Sequence, residues 1–194
     1  MEKNIRIIKD VDAIWHVEEY DVVFVGTTIY NLFSNGFQNK CRLKYPVLQD
    51  AVMGTKYADI RKYGTSITVM EKPAFEIMFV CGYPNSTRDS LNYEALEKCL
   101  SDANKKYAGK RCMMPIIGLS RFDGNGDRER VFEIYERALT DVDIDIYDYF
   151  QLNRREETEV VFRYMLKYKY TDHEKFEALW YDRFAVAEKL YLKP

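Results

Sequence analysis

Asp21 to Thr28 is an unbroken β-branched and aromatic run without polar alternation, the pattern of a strand covered on both faces of a largely parallel sheet. A polar loop, Thr28 to Gly36, follows it. Phe37, Cys41 and Tyr45 then recur at helical spacing until Pro46 marks the stop. Ahead of this unit, Asn4 to Lys9 predicts a short strand, and the acidic Asp10-Val11-Asp12 is placed to cap the next turn or to accept a hydrogen bond from a ligand amine. Ile14 to Val17 predicts a turn or short strand, and Val47 to Val52 a second short helix leading to Gly54. Thr65 to Met70 and Phe75 to Cys81, separated by Glu71-Lys72-Pro73-Ala74, predict adjacent antiparallel strands.

From Asn92 to Tyr107 the positions Tyr93, Leu96, Leu100 and Ala103 form one helical stripe, with Gly109 beyond its end. Arg111 to Leu119 predicts another buried strand, followed by a loop from Ser120 to Gly126. Asp127 is placed to cap a helix striped by Val131, Ile134, Tyr135 and Ala138. Ile144 to Tyr149 closes the alternation, so residues 1–150 are expected to form a three-layer α/β/α domain with a mixed sheet. Residues 151–194 predict a helical C-terminal extension, Arg154 to Tyr168 and Asp172 to Tyr191, whose apolar stripes pack on the domain or in a homodimer.

Two strand, glycine-bearing loop and helix units at one sheet edge could enclose a diphosphate. Such loops leave the carboxyl ends of strands, where open α/β sheets hold ligands. Gly36 lets the backbone approach an anion closely, and the positive end of the following helix favours it.

Composition narrows the partners. A formal charge of −2 and a pI near 5.8 give no basic footprint, which argues against binding a nucleic-acid duplex through a charged surface. Cys41, Cys81, Cys99 and Cys112 are scattered in apolar contexts without a CxxC pair, as expected of reduced core residues in a cytoplasmic protein. His16 and His173 stand far apart, so no His-based metal site is expected, and no cofactor either. The apolar runs are too short to cross a bilayer, so no membrane partner is expected.

Gly26 to Gln38 lines up without a gap with a segment usually written GCNCFNTMGSGIA, and Lys44-Tyr45-Pro46 with the FP that ends the following helix. Lys62-Tyr63-Gly64-Thr65 matches K-x-G-T, and Gly109 to Gly118 matches GKxxxMPxIG. Over roughly residues 4 to 149 these joints resemble the macro domain family, whose members bind ADP-ribose and related NAD metabolites. The branch that looks nearest holds ADP-ribose 1''-phosphate phosphatase-like and phage-encoded macro domains.

Carried over position by position, the resemblance implies that Asp10 faces the adenine amine and that Asn31 lies near the distal ribose, with Thr28 in place of the family's first asparagine. Asn35, Gly36 and Phe37 would present amides to one phosphate. Gly118, Ser120, Arg121 and Phe122 would form the second phosphate loop, with Phe122 stacking on the distal ribose. Ser34 and Gln38 stand where the family has small residues and would crowd the diphosphate. Asp123 would be the catalytic carboxylate that activates water, assisted by Asn31. A lysine that partners such an aspartate in a deacylating branch has no counterpart between Tyr83 and Arg88. Asp127 is favoured as a plain helix cap, and Asp123 is nearly as readily a turn former.

The function implied is binding of ADP-ribose or a related nucleotide, with hydrolysis of ADP-ribose 1''-phosphate or an ADP-ribosyl linkage. Two alternatives stand beside it. One is a non-catalytic protein that sequesters an NAD-derived nucleotide, in counter-defence within the host cytoplasm if the chain is viral. The other is a macro scaffold with a decayed pocket that binds a protein partner through its C-terminal helices.

Overall fold

The computed structural model describes residues 4–9, 12–33, 36–83, 89–119 and 124–148; the expected C-terminal helices and Tyr149 lie outside them. The strands are β1 (Ile5–Lys9), β2 (Val22–Thr28), β3 (Ser66–Val69), β4 (Ala74–Cys81), β5 (Arg111–Pro115) and β6 (Asp143–Asp148). They form one six-stranded sheet in the order β1-β6-β5-β2-β4-β3. Among them only β3 runs antiparallel, beside β4, so the sheet is mixed as expected.

Helices α1 (Gly36–Lys44) and α2 (Pro46–Met53), together with two short 3-10 turns, Ala13–Trp15 and Val17–Glu19, cover one face. Helices α3 (Tyr93–Lys106) and α4 (Arg128–Ala138) cover the other. All seven residues of β2 are buried: Val23 and Val25 enter the α1/α2 core, and Val22 and Phe24 the α3/α4 core. That double burial is why the strand shows no polar alternation.

Pro46 does more than stop α1. It is also the first residue of α2, a position where its missing amide hydrogen costs nothing because the first turn has no acceptor for it. Ile14 to Val17 proves to be turn rather than strand, and Asp12 caps it by accepting from the Ile14 amide at 3.2 Å. The four cysteines are free and buried, and burial pushes the Cys99 and Cys112 thiols up to about 12, as befits inert core residues. No helix among the described residues is long and apolar enough to cross a membrane.

The α3/α4 face also buries the carboxylate of Glu76, in β4. It accepts from Ser66 Oγ, from Thr68 Oγ1 and Tyr107 Oη at 2.7 Å each, and from Lys106 Nζ at 2.9 Å. Burial pushes this carboxyl's pKa up, but the hydrogen bonds outweigh burial and hold it below its ordinary value of 4.5. A carboxyl with a lowered folded pKa contributes stability that is present above the unfolded value and lost as pH falls through the folded one. Glu76→Gln is therefore expected to lose about 1–3 kcal/mol at neutral pH. Its urea midpoint should also fall less steeply than that of the unaltered protein as pH drops below 4.5. Unfolding curves collected across that range check both outcomes.

Candidate functional site

β2 and β5 are parallel neighbours, yet the chain leaves β2 toward α1 on one face and leaves β5 toward α4 on the other. Adjacent strands whose following helices part to opposite faces make the switch point at which α/β sheets open a crevice.

The backbone shows how this one opens. β2 pairs with β4 along its whole length, but with β5 only at Val22↔Cys112 and Val23↔Met113. In a parallel ladder alternate residues bond to alternate neighbours. The Ile116 amide donates to Tyr147 O and Lys110 O accepts from Asp143, so even-numbered residues here face β6. Arg111 O accepts from the Asp21 amide, so odd-numbered ones face β2. Pro115 is the next residue that would donate to β2, and it has no amide hydrogen. The strand expected to run to Leu119 ends there. Ile117 then settles against Gly26 of β2, where an added Cβ would lie 2.3 Å from Ile117 Cγ2.

The first loop is shaped by its own polar groups. Thr28 Oγ1 accepts from the amides of Tyr30 and Leu32 at 3.2 and 3.4 Å, so its hydroxyl is spent on the turn. The Ile29 amide extends the ladder to Cys81 O, and Ile29 O accepts from Ala58. Tyr30 sits edge-on between Tyr57 and Tyr83, whose rings are exposed. Gly36 opens α1 with φ 49°, and no atom would meet a Cβ there. Its role is conformational. Phe37 packs its ring against the α1/α2 core, which leaves its backbone as the part available to a ligand. The first amides of α1 have no partner inside the helix and stand at its positive end. Gln38, expected to crowd a diphosphate, is buried with its amide donating to Gly26 O.

Asn31 adopts a left-handed backbone, φ 56°, and is 7% exposed. Its Nδ2 donates to Thr55 O at 2.8 Å, and its Oδ1 accepts from Lys62 Nζ. Lys62 is 8% exposed and lies 4.6 Å from the centre of the Phe79 ring. Burial lowers its pKa, opposed by the charge of Asp59. Neither Thr55 nor Lys62 figured among the expected site residues, although Lys62 opens the K-x-G-T segment.

The second loop leaves Ile117, whose amide donates to Tyr135 Oη at 2.8 Å. Gly118 has φ 80°, and its carbonyl accepts from the Gly126 amide at 2.9 Å, drawing the two ends of the loop together. A Cβ on Gly118 or Gly126 would strike Leu91, and one on Gly124 would lie 2.4 Å from Gly118 O. These glycines permit close packing of backbone on backbone. Asp127 is a helix cap, accepting from the Arg130 amide at 2.9 Å. Asp10, Ser34, Asn35, Arg88, Ser120, Arg121, Phe122 and Asp123 lie outside the described residues. The structure thus brings Thr28, Asn31, Gly36, Phe37 and Gly118 to one sheet edge.

Two buried ion pairs brace that edge. Asp12, beyond the end of β1, binds Lys40 of α1, and Asp148, at the end of β6, binds Arg128 of α4.

No protein-family model and no curated protein matches the sequence. Solved structures do. A macrodomain protein from Streptomyces coelicolor is 17% identical over 74% of this chain and 99% of that one, with a TM-score of 0.55. The macrodomain of Mycobacterium tuberculosis DarG is 14% identical over 73% of this chain and 97% of that one, with a TM-score of 0.53. Thermosipho africanus DarTG in complex with ADP-ribose is 14% identical over 78% of this chain and 43% of that one, with a TM-score of 0.60. At such identities the likeness shows the fold, which is that of macrodomains, and it singles out no branch.

The glycines of the two loops should respond differently to a methyl group. Gly124→Ala presses Cβ onto a carbonyl oxygen that cannot rotate away, and is expected to cost about 1–3 kcal/mol or more. Gly36→Ala meets open space and bears only its left-handed backbone, about 1 kcal/mol. Urea unfolding of the two variants checks the order.

Proposed function

We propose that the crevice between β2 and β5 binds ADP-ribose or a closely related NAD-derived nucleotide. The observation that carries this reading is the meeting of the two motif-bearing loops at the switch point of a macrodomain fold. The ADP-ribose held by the Thermosipho africanus structure supports the choice of ligand.

In this reading the first amides of α1, at Gly36 and Phe37, and the loop that begins at Gly118 hold the diphosphate between them. Asp10 takes the adenine amine. Asn35, Ser120 and Arg121 add phosphate contacts, and Phe122 lies on the distal ribose beside Asn31. Thr28 acts on the ligand indirectly, through the turn it shapes.

Hydrolysis of ADP-ribose 1''-phosphate or of an ADP-ribosyl linkage would be the work of Asp123, activating water at the anomeric carbon. Asn31 contributes binding only, since a carboxamide moves no proton and this one is held by Thr55 and Lys62. That restraint also favours a second reading, in which the protein sequesters the nucleotide without turning it over.

Calorimetric titration with ADP-ribose tests the binding. A dissociation constant tighter than about 1 mM, roughly 4 kcal/mol, is expected, and a weaker one removes the ligand role. Phosphate release from ADP-ribose 1''-phosphate should fall about 100-fold or more in Asp123→Ala if that carboxylate is catalytic. Equal rates in the two proteins, with intact nucleotide recovered from the denatured one, would establish sequestration instead.

A further inference from the structure

We infer that Lys62 is a positioning residue: by donating to Asn31 Oδ1 it turns the NH2 of that amide toward the crevice, so the group recognised beside Asn31 is an acceptor oxygen of the distal sugar. This role presupposes the nucleotide reading above and adds to it the polarity of one contact.

The two ends of an asparagine amide are nearly the same size, so its neighbours decide which end faces where. An ammonium group has three donors and no acceptor. The atom that touches Lys62 Nζ is therefore the oxygen, and Nδ2 is left to donate to Thr55 O at 2.8 Å. A flipped amide would set N–H against the ammonium and oxygen against the Thr55 carbonyl, two repulsive contacts in place of two attractive ones.

Thr55 does not fix the orientation through its hydroxyl. That group has one hydrogen and two acceptors in reach, Val52 O at 2.7 Å and Asn31 Oδ1 at 3.1 Å, and the shorter contact takes it. Thr55 Oγ1 then accepts from Lys62 Nζ at 3.1 Å. Lys62 is no ion-pair strut either. Among the described residues no carboxylate contacts it, and Asp59, whose charge acts on it, is itself bound to Arg61 at 2.7 Å. Its polar partners there are Asn31 and Thr55, with the face of Phe79 below.

Thr55 and Lys62 belong to the connection between α2 and β3, on the β4 side of β2, whereas the crevice opens on the β5 side. Nδ2 carries a second hydrogen that no acceptor among the described residues takes, and it is the one directed away from Thr55 and Lys62. A ligand atom that meets it must accept. Hydroxyl and ring oxygens of a ribose do.

ADP and ADP-ribose differ by that sugar, so titrating both against the unaltered protein and Lys62→Met isolates the contact. The unaltered protein should prefer ADP-ribose. Lys62→Met should lose about tenfold of its ADP-ribose affinity while its ADP affinity stays within about twofold, as for one hydrogen bond lost at the distal end. Equal losses for both nucleotides would reduce Lys62 to a structural support, and an undiminished preference for ADP-ribose would also overturn the inference. If the unaltered protein binds neither nucleotide, the nucleotide reading itself fails and this role goes with it.

A second measurement needs no variant. In the 15N-labelled protein one Asn31 side-chain amide proton should shift when ADP-ribose is added and neither when ADP is added. No shift with bound ADP-ribose would equally overturn the assignment.

Discussion

A hydrogen that proline lacks is the constraint on which the crevice depends. Pro115 occupies the position of β5 from which the next ladder bond to β2 would come, and without it the two central strands part. The remaining consequences follow along the chain. β5 keeps its bonds to β6 through Ile116, Ile117 drops into the space that Gly26 leaves, and the loops beyond diverge to opposite faces of the sheet. A proline in a central strand usually weakens the sheet. Here the four remaining inter-strand ladders hold the sheet together while one seam opens.

Charge is arranged to keep that seam fit for an anion. Asp12 lies close to α1, where a bare carboxylate would repel a phosphate at the helix start, and Lys40 neutralises it within the protein. A pair buried this completely contributes little net stability, because desolvation offsets most of the attraction, but leaving either member unpaired would cost several kcal/mol. The pair therefore fixes where α1 sits relative to the end of β1. Glu76 shows the complementary solution, a buried carboxylate held by donors from β3 and α3 well away from the loops.

Much of this was legible in the sequence, and the parts that were not share a physical reason. Strands buried on both faces, the antiparallel β3/β4 pair and the Asp127 cap follow from residue type and local order, and all three are found. The end of β5 was misplaced because Ile116 and Ile117 are as apolar as the strand they follow; burial continues past Pro115 while the ladder does not. Gln38 was read as an obstruction because its size is visible in the sequence and its partner, Gly26 O, is not. Asn31 meets Thr55 and Lys62 at separations of 24 and 31 residues, and Asp12 meets Lys40 at 28. No periodicity connects such pairs; only the folded topology does.

The absence of a basic footprint is no objection to a diphosphate ligand. A nucleic-acid duplex presents a long row of phosphates and is held largely by side-chain charge, which a chain of net charge −2 is poorly supplied to provide. A single diphosphate can be held instead by oriented backbone amides and by the positive end of a helix, neither of which appears in a count of lysines and arginines. Gly36, with its left-handed backbone and open surroundings, and Gly118, whose carbonyl closes the second loop, are both devices for aiming amides. Lys40 and Arg128, the cations nearest the two helix starts in the chain, are engaged with Asp12 and Asp148. With those charges spent on holding the walls, it is the peptide groups of the loops that remain to meet the anion.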